Sequence, residues 1–151
     1  MWIDRIVTSS VTRGIELSAR FTESRHRVLA ENVANIDTPG YARKRLDPEA
    51  FQASLKEAME RVDALSPAQK RTGRALLDLR GNAQFTTNFR GDIEVTPEIE
   101  PAENILFHDG TNARLETLMS EVAANALSHQ FLMNQLHGRY DGVLKAIRGR
   151  I

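Results

Sequence analysis

Four histidines are the side chains best suited to acid–base or metal chemistry in this chain of 151 residues. His129 and His137 are eight residues apart, about two helical turns, so one helix face could carry both. A metal ion needs further ligands, and on that side only Asp141 is in reach. The other two histidines are His26 and His108. We therefore predict no metal site and expect His129 to be a helix-contact residue that bonds a neighbouring amide.

Catalytic motifs are absent from the sequence as well. It lacks the Gly-x-Ser-x-Gly elbow that would anchor a Ser-His-Asp triad, and it lacks a Gly-rich phosphate-binding loop. With no cysteine, it has no thiol nucleophile, disulfide or zinc-thiolate site. We predict no catalytic residue and no cofactor, and conclude that the chain is not an enzyme.

Composition limits the partners. Lys and Arg total 20, as do Asp and Glu, so the formal net charge is +0. A nucleic-acid binder should carry a basic excess, whereas a neutral chain can pack densely against copies of itself. No segment approaches the roughly 20 apolar residues of a membrane span, and no secretory signal is recognisable at the N-terminus. Aromatic residues are 6% of the chain, so we expect aliphatic helix contacts rather than a core of large rings.

The first long element is an amphipathic helix predicted from Ile3 to about Ile36. Its apolar residues recur three and four positions apart, in a stripe wider than a coiled-coil seam. Alone in water the helix should be marginal, because helical stability comes mostly from packing a face. The predicted assembly seam on this helix consists of Val7, Leu17, Phe21, Val28, Leu29 and Val33.

A turn ends this helix. Pro39 lacks an N–H group and disfavours a helical conformation at Thr38. Pro at the second position and Gly40 at the third, where φ is positive, predict a type II turn that closes at Tyr41. The basic run that follows consists of Arg43, Lys44 and Arg45. Such a run is usually a solvated patch; the alternative is a contact with acidic residues of a neighbouring subunit.

The middle region shows one short helix and some extended structure. Asp47 is the predicted N-cap and Pro48 lies in the first turn. Phe51 to Val62 then shows helical spacing of apolar residues. Further on, segments 85–87 and 93–96 have extended character and allow a loose hairpin, which prolines would confine to a sheet edge; the fold of 65–100 is otherwise left open.

The second long helix carries the cleanest periodic signal. Apolar residues alternate four and three apart over more than four heptads, which favours a coiled coil. The predicted seam residues here are Leu115, Met119, Val122, Ala126, His129, Met133, Leu136, Tyr140, Val143 and Ile147.

These elements predict a mainly α fold, in which two long terminal helices form an antiparallel coiled-coil-like pair. The N-terminal helix is assigned to 1–37, the partly extended middle region with its short helix to 38–110, and the C-terminal helix to 111–151. The apolar stripes are too broad for one pair to cover, so we expect further helices, most simply other copies. Asn32, Asn35 and Asn125 are either helix-face polar residues or buried amides that fix the register between copies.

The stretch Asn-Val-Ala-Asn-Ile-Asp-Thr-Pro-Gly-Tyr at 32–41 resembles a signature of the bacterial flagellar axial proteins, the rod and hook subunits. The matching residues are Asn32, Ala34, Asn35, Thr38, Pro39, Gly40 and Tyr41. The C-terminal half, with Asp-Gly-Thr-Asn at 109–112 and Ala-Ala-Asn-Ala-Leu-Ser-His-Gln at 123–130, is similar to proximal rod proteins of the FlgB type. The resemblance covers both ends and not 65–100. Here 112–114 lacks the family's acidic residue, and His129 replaces its common Tyr.

The resemblance implies a structural subunit of the basal-body rod that stacks by its terminal helices into a hollow helical shaft and transmits torque. It implies export through the flagellar type III apparatus without a cleaved signal peptide. The implied partners are other copies, other rod proteins, the basal ring-to-rod adaptor and the export gate. The alternatives are another rod-type axial subunit or, outside the family, a cytoplasmic coiled-coil adaptor.

Overall fold

The computed structural model describes residues 10–66, 69, 77–79, 83–88, 92–100 and 115–149. This part of the chain is mainly helical, as predicted. Its helices are α1 (Ser10–Ala34), α2 (Pro48–Asp63) and α3 (Leu115–Ile147), and its strands are β1 (Lys44–Arg45), β2 (Phe85–Thr87), β3 (Ile93–Val95) and β4 (Glu98–Ile99).

The predicted turn after α1 is confirmed. The helix ends at Ala34, two residues before the predicted end, while its predicted start at Ile3 lies outside the described residues. Gly40 has a φ of 75°, and the Tyr41 N–H donates to the Thr38 carbonyl at 3.1 Å. Positive φ at the third position and a bond from the fourth residue to the first are the marks of a type II turn.

Two small antiparallel sheets form the middle region. The hairpin that the sequence allows is present, with Phe85 opposite Val95 in β2 and β3. The sheet that pairs Lys44 of β1 with Ile99 of β4 was not predicted. A strand of two residues is too short to show the alternation of apolar and polar residues by which strands are recognised in a sequence. It becomes visible only when its pairing partner, distant in the chain, is known.

Helix α2 begins as the sequence predicts. The Asp47 carboxylate accepts hydrogen bonds from the backbone N–H groups of Glu49 and Ala50 at 2.9 and 3.2 Å. A carboxylate at this position satisfies N–H groups that have no partner inside the helix. The helix then turns one side toward the core; its buried residues are Phe51, Ser54, Ala58 and Val62.

Three phenylalanine rings lie at the centre of the core, whereas aliphatic helix contacts rather than a core of large rings were expected. Phe21 of α1 stacks on Phe51 of α2, with ring centroids 4.2 Å apart. Phe85 of β2 meets both rings edge-on at 5.4 and 5.6 Å. The expectation was wrong because a low aromatic fraction does not prevent three rings from converging from three distant segments. Stacked and edge-to-face rings are both favourable arrangements.

Helix α3 packs along α1 in the opposite direction. Glu16 contacts Tyr140, Thr22 contacts His129, and Arg25 faces Glu121, so numbers rise along one helix and fall along the other. The antiparallel pair is therefore present, while the coiled-coil character of the packing stays a prediction. The first helix also lies close to α2: a Cβ added at Gly14 would approach the Met59 sulfur to 3.3 Å.

Candidate assembly surface

The signature residue Asn32 fixes the path of the chain after the turn. Its side chain is 1% exposed. The amide donates to the Lys44 carbonyl at 2.7 Å, and the amide oxygen accepts from the Lys44 N–H and the Tyr41 hydroxyl, both at 3.0 Å. Burial raises the pKa of Tyr41. An amide that satisfies a backbone donor and acceptor together mimics a strand neighbour, so it holds β1 against the end of α1.

The other signature residues have lesser contacts. Asn35 is half-buried and donates to the Glu31 carbonyl at 2.9 Å. Ala34, Thr38, Pro39 and Gly40 are exposed. The signature therefore contains one buried clamp, Asn32, and a solvent-facing turn. The hydrogen bonds of Asn32 lie within the chain rather than between copies, which differs from the register role expected for the buried amides.

An ionic bridge centred on Arg43 joins the middle region to α3. The Arg43 side chain is 10% exposed and its guanidinium lies 3.0 Å from Glu100 and 2.5 Å from Glu121. Arg25 of α1 faces Glu121 at 3.9 Å, and burial lowers the pKa of Arg25. The bridge therefore connects the residue before β1, the residue after β4, and both long helices at one place.

The two other residues of the basic run also have partners in their own chain. Lys44 pairs with Glu31, and Arg45 lies 3.7 Å from Glu100. Contacts of this run with acidic residues of another copy stay a prediction. The side chains of Lys44 and Arg45 are 39% and 57% exposed, so a neighbouring subunit could contact them. The Arg43 side chain is nearly buried and its ion pairs lie within the chain.

Polar side chains form part of the contact between α1 and α3. The Thr22 hydroxyl bonds the His129 ring at 2.8 Å, in place of the neighbouring amide predicted for His129. The Asn125 side chain, 2% exposed, donates to the Thr22 carbonyl at 2.9 Å. The Asn125 amide oxygen has no hydrogen-bond partner in the described part of the chain. At the other end, a hydrogen bond to Glu16 raises the pKa of Tyr140 by stabilising the protonated hydroxyl.

The predicted seam residues divide into buried and exposed sets, and their role in assembly stays a prediction. On α1 they are mostly buried, several of them in the phenylalanine core. The buried set is Leu17, Phe21, Val28, Leu29 and Val143; the half-buried set is Val33, Val122, His129, Met133 and Leu136; the exposed set is Leu115, Met119, Ala126, Tyr140 and Ile147. Val7 lies outside the described residues.

On α3 the buried line differs from the predicted track. Its buried residues are Leu118, Asn125 and Val143. The predicted track runs beside this line, so part of it faces away from α1. We name this flank the Met119 face; it consists of Leu115, Met119, Leu144 and Ile147, which are 47–59% exposed.

A second apolar flank of α3 borders a groove. Leu127 and Phe131 are 68% and 62% exposed, and we name this pair the Phe131 face. The groove beside it has a volume of about 460 Å³ and is bounded across from α3 by Phe51 and Gln52 of α2. Large apolar side chains on two flanks are unusual for a monomer and mark surfaces that contact other proteins.

Neither a metal centre nor a membrane span emerges from the described residues. Within those ranges, no three His, Asp or Glu side chains converge as metal ligands would. His137 and Asp141 are exposed, and His108 lies outside the described part. In the same ranges, no helix combines the length and apolar character needed to cross a bilayer.

Comparison of the chain with known proteins finds several relatives of similar length. No protein-family model matches the chain. It is similar to flagellar basal body rod protein FlgB of Bacillus subtilis, at 23% identity over 141 residues, 93% of this chain and 95% of the relative. FlgB of Escherichia coli is 28% identical over 126 residues, 82% of this chain and 83% of the relative. FlgB of Borrelia hermsii is 27% identical over 128 residues, 80% and 84% of the two chains.

The similarity extends beyond the segments that carry the sequence resemblance. An alignment of 141 residues must include most of 65–100, where no motif is recognisable. The relatives are rod proteins, which are structural components and not enzymes. The chain is therefore similar to flagellar basal body rod proteins FlgB over most of its length and over most of theirs.

Proposed function

We propose that the chain is a structural subunit of the flagellar basal-body rod. Copies assemble through their paired terminal helices into a hollow helical shaft that transmits torque. The observation that carries the proposal is the similarity to FlgB proteins over 80–93% of the chain. Apolar surface left exposed on α3 supports assembly with other helices.

The terminal helices form the assembly unit, and the middle region is a projection that folds back along one side of α1. The proposed division is 1–37 and 111–151 for the helical unit and 38–110 for the projection. The Asn32 clamp supports this arrangement, because it sets the direction in which the chain leaves α1. The Arg43 bridge supports it further by joining that projection to α3.

The proposed partners are other copies, other rod proteins, the ring-to-rod adaptor at the base and the export gate. The subunit reaches the periplasm through the flagellar type III apparatus, without a cleaved signal peptide. Long helices stabilised mainly by packing are suited to ordering on assembly. The neutral net charge allows copies to stack without long-range repulsion.

Deletion and complementation test the proposed function directly. We expect a deletion strain to be non-motile, and the restored protein to copurify with detergent-resistant basal bodies. Mass spectrometry of the exported chain should show that no N-terminal peptide has been cleaved from it. A motile deletion strain would contradict the proposal, and a chain found only in the cytosol would favour a cytoplasmic coiled-coil adaptor. Recovery with distal rod fragments alone would assign it to another rod subunit.

The turn offers a second, more specific test. A Pro39→Ala, Gly40→Ala double variant should be expressed normally but fail to build rods and to support swimming, because the projection would leave α1 in the wrong direction. Asp37→Ala is the matched control, since Asp37 is exposed and outside the signature. Normal swimming of the double variant would remove the turn from the mechanism.

A further inference from the structure

A small cavity lies beside the Arg43 bridge and has a volume of about 210 Å³. Arg25 of α1 and Arg45 of β1 line it, and Lys44, which pairs with Glu31, contributes to its wall. Its apolar lining residues are Val28, Leu29 and Leu46. Pockets that hold drug-sized molecules begin at about 300 Å³. The cavity is therefore of a size for one side chain, with basic and apolar groups in its wall.

The two arginines of the cavity have incomplete contacts. Within the described part of the chain, Arg25 makes an ion pair with Glu121 at 3.9 Å and Arg45 makes one with Glu100 at 3.7 Å. Both distances are too long for a hydrogen bond. Arg43 holds the same two carboxylates more closely, at 2.5 and 3.0 Å. Since a guanidinium carries five N–H donors, Arg25 and Arg45 keep donors available for another acceptor.

The charge of Arg25 is not fully compensated by its surroundings. Burial lowers the pKa of Arg25, and the neighbouring guanidinium groups of Arg45 and Arg43 lower it further. The carboxylates of Glu121 and Asp47 act in the opposite direction, but the overall direction is a lowering. A buried cation with too little opposing charge is stabilised when a further carboxylate approaches. The electrostatics therefore favour an anionic occupant.

We propose that this cavity is a docking site for an acidic side chain of an adjoining rod subunit. The carboxylate accepts hydrogen bonds from Arg25 and Arg45, whose planar groups match the two oxygens of a carboxylate. The methylene groups of the acidic side chain pack on the apolar part of the wall. The inference rests on the proposed function for the identity of the partner. It divides the basic residues by role, since Arg43 stabilises the fold while Arg25 and Arg45 bind the neighbour.

Thermal unfolding of the purified full chain tests the site, with glutarate as a probe that resembles a glutamate side chain. Glutarate should raise the melting temperature by at least about 2 °C over sodium chloride of equal ionic strength, because it binds the native state. Arg45→Gln should abolish the rise without unfolding the chain, since Arg45 is 57% exposed. Arg27→Gln is the matched control on α1, because Arg27 is 78% exposed and lies outside the cavity wall.

The outcomes of this titration are distinct. No rise with glutarate, or a rise that Arg45→Gln leaves unchanged, would overturn the site. Inorganic sulfate is the second probe. A rise with both anions supports the site, because each presents a pair of oxygens to a guanidinium. A rise with sulfate alone would overturn its assignment to a carboxylate.

Carbodiimide coupling in isolated basal bodies tests the partner. Arg45→Lys keeps the charge and places an amine at the cavity, and carbodiimide joins an amine to a contacting carboxylate as an amide with loss of water. Mass spectrometry should find position 45 linked to an Asp or Glu of an adjoining subunit, at least tenfold more often than position 27 in Arg27→Lys. Coupling only to Glu100 of the same chain, which lies 3.7 Å from Arg45, would overturn the docking.

The rod role is measured separately, by motility and fractionation. A chain that binds glutarate through Arg45 but is absent from basal bodies would keep its carboxylate site and lose its proposed function. A chain that is present in basal bodies and unaffected by glutarate would keep the function and lose the site.

Discussion

The two long helices differ sharply in how much of each is covered. Helix α1 buries nine of its 25 residues. Helix α3 has 33 residues and buries three. The first is covered by α3 on one side and by α2 and the β2–β3 hairpin on another, whereas α3 packs mainly against α1 among the described elements. Helix α1 is therefore the core element of the chain, and α3 supplies its unsatisfied surface.

This difference suggests that the residues needed for folding and those needed for assembly lie in different parts of the chain. Residues that stabilise the isolated chain should be concentrated on α1 and its neighbours. Residues that stabilise the rod should be concentrated on the outer flanks of α3. A broad apolar stripe in the sequence does not reveal which of the two purposes it serves, since both require the same residue types.

The largest expected difference in stability is between one buried and one exposed phenylalanine, Phe21 of α1 and Phe131 of α3. Phe21→Ala removes a ring that is 3% exposed and stacked on Phe51. We expect the free energy of unfolding to fall by about 3–5 kcal/mol, as for other buried rings. Phe131→Ala, where the ring is 62% exposed, should change it by no more than about 0.5 kcal/mol. Urea denaturation measures both, and equal losses would erase the distinction between the helices.

A smaller effect should come from the bridge that links α3 to the middle region. Arg43→Gln leaves Glu100 and Glu121 without their shared cation and should lower the free energy of unfolding by about 1.5–3 kcal/mol. Arg45→Gln is the control, because Arg45 is 57% exposed and should contribute less than about 1 kcal/mol. Similar losses from the two variants in urea titrations would refute a special role for Arg43.

Two asparagines extend the comparison to polar groups. Asn32→Ala leaves the Lys44 backbone N–H and the Tyr41 hydroxyl without their acceptor and should cost about 1–3 kcal/mol. Amide hydrogen exchange at Lys44 should become faster. Asn134→Ala, at an exposed position of α3, should be neutral or slightly stabilising because alanine favours helix. Unchanged exchange at Lys44 would contradict the clamp.

The smallest effect should be a gain. Gly138→Ala should raise the free energy of unfolding of the isolated chain by up to about 1 kcal/mol, and so raise its melting temperature. The reason is that alanine favours helix and the added Cβ would meet nothing within 4 Å. Gly40→Ala should lower the melting temperature, because the φ of 75° strains any side chain there. A loss of stability at position 138 would show that α3 is constrained on its outer flank even within one chain.

Local signals in the sequence were sufficient for several features. The Asp47 cap and the turn at 38–41 depend on residues close together in the chain, and both were predicted correctly. The 85–95 hairpin is local as well, and the sequence allowed it without specifying it. The β1–β4 pairing and the Phe21–Phe51–Phe85 cluster join distant segments. No local pattern indicates such a pairing, so neither was predicted.

The spacing of apolar residues and the positions of proline and glycine by themselves determined that this protein has two long amphipathic helices and a proline–glycine turn. Only the tertiary structure decided how the apolar stripes are shared. It assigned most of α1 to the core, turned Leu118 and Asn125 rather than Met119 toward α1, and left two flanks of α3 open. The physical reason is that spacing along a helix reports which side is apolar, whereas the neighbour that covers it is fixed by the packing of the whole chain.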